Sequence, residues 1–243
     1  MTGPYYRRDL ALVHHRGFGF HADMCAPGIL ARLEPVRARG GLVLEVGCGS
    51  GLLTRHLLDA GHRVVASDAS PAMLDLARAT APDAESVVQI TLPDDPLPVA
   101  DAVVSVGHAL SYLPSVEAID RALVALAGAL RPGGVFAIDL CDLEWAEARV
   151  DQHDLARVGD DWAIITRFSV PTPDRFVREM VTFVRNDDGS WRRDDERHDN
   201  VMIDVSRVAV LLAAEGVEVE VRESFGTERL PVGLWAIVGG RPG

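Results

Sequence analysis

Val43-Leu44-Glu45-Val46-Gly47-Cys48-Gly49-Ser50-Gly51-Leu52-Leu53-Thr54 decides how this chain is read. Its first four residues form a short, mostly apolar run of the kind that makes a buried strand. A glycine-rich turn follows, and a helix begins near Leu52. Glycine admits the tight turn and lets a ligand approach the backbone closely. A purely structural turn has the same composition, so the flanking sequence has to separate the two.

On either side, short Val-rich runs alternate with helical patterns. Runs at 42–46, 63–67, 86–90, 101–106 and 135–140 read as strands of a mostly parallel sheet. Ser70 offers an N-cap oxygen and Pro71 suits the first helical position, with Met73, Leu74 and Ala77 turned to the sheet. Ser115 caps a second helix with Ile119, Leu123, Leu126 and Leu130 at helical spacing, ended by Pro132-Gly133-Gly134. Past residue 160 the pattern changes. Strands are expected at 162–170, 175–185 and 190–203, punctuated by Pro171, Pro173 and Asp188-Gly189, which makes an antiparallel insertion. A helix over 204–215, a stop at Gly216 and strands at 217–221 and near 234–238 complete the sheet.

The expected fold is therefore α/β, a seven-stranded mostly parallel sheet flanked by helices, with the antiparallel β insertion acting as a lid. One domain spans 1–243: an N-terminal helical cap (1–40), a cofactor-binding core (41–145), the insertion (160–203) and the end of the core sheet (204–243).

Composition narrows the function. A net charge of -12 opposes the attraction to phosphate that dominates nucleic-acid affinity, so no nucleic-acid partner is expected. All 24 basic residues are arginine, which excludes a P-loop lysine and Schiff-base chemistry. Cys25, Cys48 and Cys141 are too far apart for metal-ligand spacing, so no metal is expected. No long apolar run occurs, and Tyr5-Tyr6-Arg7-Arg8-Asp9 is not followed by a signal-peptide stretch. The expectation is a cytoplasmic protein with no membrane partner.

Asp68, at the end of the second run, lies about 20 residues past the first glycine, where a carboxylate can accept both hydroxyl protons of a ribose. A nicotinamide enzyme uses similar parts, and the spelling of the turn discriminates. Gly47, Gly49 and Gly51 give G-x-G-x-G, whereas the dinucleotide fingerprint places its third glycine at position 52, here Leu. Glu45 adds negative charge where a pyrophosphate would sit, which a cationic cofactor tolerates better.

These features resemble the class I, Rossmann-like S-adenosylmethionine-dependent methyltransferases of the bacterial small-molecule type. Glu45-Val46-Gly47-Cys48-Gly49-Ser50-Gly51 is similar to their first motif, and Asp68-Ala69-Ser70-Pro71-Ala72-Met73-Leu74 to the second. Asp101 to Gly107 and Leu130-Arg131-Pro132-Gly133-Gly134 resemble two later ones. The resemblance implies that S-adenosyl-L-methionine is the cofactor. Gly47, Cys48 and Gly49 would line its methionine part, Glu45 its amino group, Asp68 the ribose, and Ala69 and Met73 the adenine. Leu92 would close the adenine edge and Gly107 would face the cofactor from the fourth strand.

Methyl transfer from a sulfonium is an in-line displacement, so positioning and water exclusion supply much of the rate and a general base is optional. His108, just past the fourth strand, is the favoured catalytic candidate because ligands sit beyond the carboxyl ends of such strands. A packing histidine in that loop is the alternative. Tyr112, a helical turn on, is a substrate candidate or a core residue. His198 shares a strand face with Glu196 and is a further substrate candidate, against a solvated lid strand. His14, in His14-His15-Arg16-Gly17-Phe18-Gly19-Phe20, is a third, against an ordinary helix-to-loop connection of the same composition.

The function expected is methyl transfer to an O or N atom of a small-molecule acceptor. Two readings stay open beside it: a protein that binds S-adenosylmethionine without transferring methyl, and an NAD(P)-dependent oxidoreductase. An edge strand of the insertion offers a surface for homodimer pairing.

Overall fold

The computed structural model describes residues 5–243, so the first four residues of the expected cap lie outside the described residues. Two helices, α1 (Arg8–Gly17) and α2 (Phe20–Ala38), precede the sheet. Then β1 (Leu42–Val46), α3 (Leu52–Asp59), β2 (Arg63–Asp68), α4 (Pro71–Thr80), β3 (Ser86–Gln89) and β4 (Ala100–Ser105) alternate. A short 3-10 turn, Ala109–Tyr112, leads to α5 (Val116–Ala129), β5 (Leu130–Cys141) and a one-turn α6 (Leu143–Glu147). The insertion comprises β6 (Leu155–Val158), β7 (Trp162–Thr172), β8 (Arg175–Arg185) and β9 (Trp191–Val201). After it, α7 (Val208–Ala214), β10 (Glu218–Arg222) and β11 (Leu234–Gly240) finish the chain.

The helix starts follow from local chemistry. Ser70 Oγ accepts the Met73 N–H at 3.2 Å, with Pro71 opening α4, and Ser115 Oγ accepts the Ala118 N–H at 3.2 Å at α5.

Strand order in the large sheet is β10-β11-β5-β4-β1-β2-β3, with β11 antiparallel to both neighbours and the remaining pairs parallel. The order reverses between β1 and β4, and the crevice beyond their carboxyl ends is where an open α/β sheet holds its ligand. The insertion is a separate four-stranded antiparallel sheet, β6-β7-β8-β9.

Three details differ from expectation. β5 begins at Leu130, because Leu130 pairs with Ala100 across a register shift. β6 escapes the sequence pattern since all four of its residues are exposed and show no apolar alternation. The helix expected over 204–215 is split into a 3-10 turn, Val205–Arg207, and α7, the Asp204 carboxylate capping the first piece.

Apolar clusters cover both faces of the large sheet. A third cluster joins Leu10 and Val13 of α1 to Trp162, Ile164, Met180 and Val184 of the lid. Each such buried aliphatic contributes about 1.5–3 kcal/mol. Polar contacts reinforce the joint. Arg192 Nε donates to both oxygens of Asp9 at 2.8 Å, and Glu196 accepts the amide hydrogens of Tyr6 and Arg7 at 2.9 and 2.8 Å. The N-terminal segment is thereby held to the lid.

Candidate active site

The turn after β1 takes a shape that only glycine allows at its first position. Gly47 has φ +69, and a β-carbon there would collide with that of Ala109. Cys48 N–H donates to Ser67 O at 2.8 Å, fixing the turn against β2. Asp68 then accepts the Gly49 N–H at 2.9 Å on one oxygen and the Ser70 N–H at 2.8 Å on the other. One carboxylate thus fastens both turns, and its remaining lone pairs are free for a ligand. Burial raises its pKa, against the pull of those N–H groups.

Glu45 points from β1 into the same space. It is 2% exposed, and its one side-chain partner is the Thr54 hydroxyl, which donates to it at 2.7 Å. Burial, with Asp68 adding to it, pushes the Glu45 carboxyl up to about 8. A cation reaching this carboxylate would relieve that cost.

These groups open on a cavity of about 690 Å³. All nine residues expected around the cofactor line it: Glu45, Gly47, Cys48, Gly49, Asp68, Ala69, Met73, Leu92 and Gly107. His14 and Tyr112 also line it, at the end where Tyr5, Tyr6 and Phe18 of the N-terminal segment close over it. The size is that of a small-molecule site.

His108 and His198 are placed otherwise. His108 follows β4 as expected, at φ +50, with its N–H donated to Asp139 Oδ1 at 2.6 Å. Its ring is not part of the cavity wall. It stacks on Tyr112, centroids 5.7 Å apart, and lies tilted against Trp145 at 5.4 Å. Burial and the Arg178 charge push it down to about 3, which makes it neutral and weakly basic. His198 is fully buried behind the tyrosines. Its Nε2 donates to Glu196 at 3.0 Å, and its ring lies 4.6 Å from Tyr5 and 4.9 Å from Tyr6. The shared face of Glu196 and His198 is as the alternation predicts, but it is a buried face and not a solvated one.

Four residues that the sequence reading passed over belong to this region. His21, from α2, lines the cavity and its Nε2 donates to Asp139 Oδ2 at 3.0 Å. Asp139 is fully buried and also takes the Gly107 N–H at 2.8 Å. A carboxylate only accepts, so the pairing fixes the His21 tautomer and leaves Nδ1 as its proton-accepting atom. Arg178 of β8 donates to the Tyr112 hydroxyl, which in turn lies 2.7 Å from the Tyr6 hydroxyl. The signal for Arg178 was present: 176, 178 and 180 share one strand face, and Phe176 and Met180 mark that face as inward. His21 carries no such signal, since its role depends on a contact 118 positions away.

Residues 44–138 match the family model described as a methyltransferase domain. Their fold is that of S-adenosylmethionine-dependent methyltransferases of known structure. The chain is also similar to curated relatives over part of its length. The ubiquinone biosynthesis O-methyltransferase of Xanthomonas axonopodis pv. citri is 37% identical over 114 residues, 44% of this chain and 44% of its own. The malonyl-(acyl-carrier protein) O-methyltransferase of Pectobacterium atrosepticum is 34% identical over 161 residues, 62% of each chain. The chain spans about half the length of the curated relatives it matches.

Solved structures align with the whole chain, lid included. The sugar N-methyltransferase KedS8 from Streptoalloteichus superposes with a TM-score of 0.78 at 22% identity, covering 100% of this chain and 97% of its own. CalS10 from Micromonospora echinaspora, an amino pentose methyltransferase with S-adenosylmethionine bound, gives 0.71 at 23%, covering 98% and 99%. At these identities the likeness shows the fold of the methyltransferase domain and its lid. No described helix is long and apolar enough to cross a membrane.

Proposed function

We propose that this chain transfers a methyl group from S-adenosylmethionine to an oxygen or nitrogen atom of a small metabolite. The observation that carries the reading is the pair of carboxylates, buried Glu45 and half-buried Asp68, that line one cavity beyond β1 and β2. Their placement fits the cofactor, which presents an ammonium and two ribose hydroxyls. Bound there, it would supply an electrophilic methyl group on a sulfonium.

The residues of the chain do the rest. Glu45 holds the ammonium, Asp68 the ribose, and the backbone of Gly47 to Gly49 lies along the methionine part. Ala69, Met73 and Leu92 give the adenine an apolar slot. Tyr5, Tyr6 and Phe18 cover the other end and exclude water, which favours in-line displacement by holding the acceptor close. Where the acceptor must lose a proton, we assign the task to His21, whose tautomer Asp139 fixes, in preference to His108. His108 stands outside the wall and positions Tyr112 by stacking.

O-methyltransferases and N-methyltransferases both stand among the similar proteins, which supports keeping both acceptor atoms. The test is accumulation of S-adenosylhomocysteine with a panel of amines, phenols, carboxylates and sugars. Turnover with one class and its loss in His21→Asn, with His108→Asn retaining most of it, is expected. Persistent absence of product across the panel, with the cofactor bound, would favour a binding protein that transfers nothing.

A further inference from the structure

Arg178 sits under the lid without a counter-ion. Its Nε is fully buried and has no hydrogen-bond partner, and its Nη2 donates to the Tyr112 hydroxyl. Among the described residues no carboxylate forms an ion pair with it, and Met1 to Pro4 contain none. Glu196 is the acid on the same face of the next strand, two positions along from the Arg178 pairing partner. It is already occupied by the Tyr6 and Arg7 amides and by His198. Only its Nε is sealed off, the residue as a whole being half-buried, and an unpaired cation in this position would gain an ion pair from an anion that the fold does not itself contain.

The tyrosine pair that Arg178 contacts shows where that partner would dock. A guanidinium can only donate, so the Tyr112 oxygen accepts from Arg178. The Tyr112 and Tyr6 hydroxyls lie 2.7 Å apart and share one hydrogen bond, so the pair keeps one hydroxyl hydrogen that this bond does not use. Tyr6 and Tyr112 both line the cavity. Arg178 thus polarises a pair of hydroxyls that has one hydrogen to give at the ligand space.

We propose that the acceptor carries an oxyanion, either a carboxylate or a phosphate group, and that Tyr6, backed by Tyr112 and Arg178, is its docking point under the lid. The inference rests on the methyltransferase reading and names the class of its acceptor. The field of Arg178 is felt around the site: burial and then this charge lower His14 to about 4 and His108 to about 3. An anion docked here would offset that field and draw both histidines upward. It would also place a negative group in a protein whose own charge is -12, which explains why a dedicated cation is needed.

The experiment is calorimetric titration of the full chain with inorganic phosphate and with acetate, each with and without saturating S-adenosylhomocysteine. Wild type, Arg178→Met and Tyr6→Phe are compared. Saturable binding of one anion to wild type is expected, weakened at least about tenfold in Arg178→Met, as loss of a charged hydrogen-bond partner produces. Tyr6→Phe, which removes only a hydroxyl, should weaken it in the same direction. S-adenosylhomocysteine affinity should be unchanged in both. Arg178→Met should also raise the thermal midpoint of the unliganded protein, whereas a structural arginine would lower it. Phosphate alone binding marks a phosphorylated acceptor, and acetate alone a carboxylate. No saturable anion binding to wild type, or equal binding in both variants, overturns the proposal. Failure of S-adenosylhomocysteine to bind would instead strike the methyltransferase reading, and the anion arm without it still decides the docking point.

Discussion

The two ends of the cavity are built on different principles. At the cofactor end, one short stretch supplies the turn, and Asp68 lies 19 positions from the amide it accepts. At the lid end, Glu196 holds the Tyr6 amide from 190 positions away, and Arg178 reaches Tyr112 across 66. Local backbone geometry makes the first end. Long-range side-chain contacts make the second, which therefore depends on α1 and the lid staying docked.

That difference can be broken deliberately. Leu10→Ala removes a side chain that is 3% exposed in the joint between α1 and the lid, at a cost of about 2–5 kcal/mol. Amide exchange should rise across β7 to β9 and stay unchanged in β1 and its turn. Equal loosening of both ends would mean that they are one cooperative unit. A smaller effect is expected from Glu196→Gln, which weakens acceptance of the Tyr6, Arg7 and His198 hydrogens. Thermal stability should fall by about 1–3 kcal/mol. S-adenosylhomocysteine affinity should hold.

The smallest effect concerns protons. Glu45 has its folded pKa raised to about 8, so the fold favours its protonated form. That contribution to the stability of the unliganded protein is whole below the ordinary glutamate value and is lost as pH rises from there toward 8. Binding a cationic ammonium at pH 7 should then release a proton. Calorimetry in two buffers of different ionisation enthalpy reads that release, and Glu45→Gln should abolish it.

The cofactor end was legible in the sequence because its parts are local. Gly47, Asp68 and the Ser70-Pro71 cap each carry a conformational reason that survives without knowledge of the fold. The mostly parallel sheet followed from the βα alternation, whereas the strand order and the switch between β1 and β4 come from the structure alone, because alternation does not say which strands are neighbours. The lid end was legible only in outline. Alternation gave three of its four strands, and missed β6 because an edge strand with four exposed residues has no apolar face. His108 was read for its position after β4, which is correct. The direction of its ring is set by Trp145 and Tyr112, and no local pattern encodes that. His21 and Asp139 meet only once α2 lies against β5.

The most direct measurement is calorimetric titration of S-adenosylhomocysteine into wild type and Asp68→Ala, with NAD as control. Saturable binding to wild type is expected, weaker by about 1.5–3 kcal/mol in the variant, with no binding of NAD. Equal affinity in the two proteins, or preference for NAD, would contradict the assignment of the turn after β1 and Asp68 to S-adenosylmethionine.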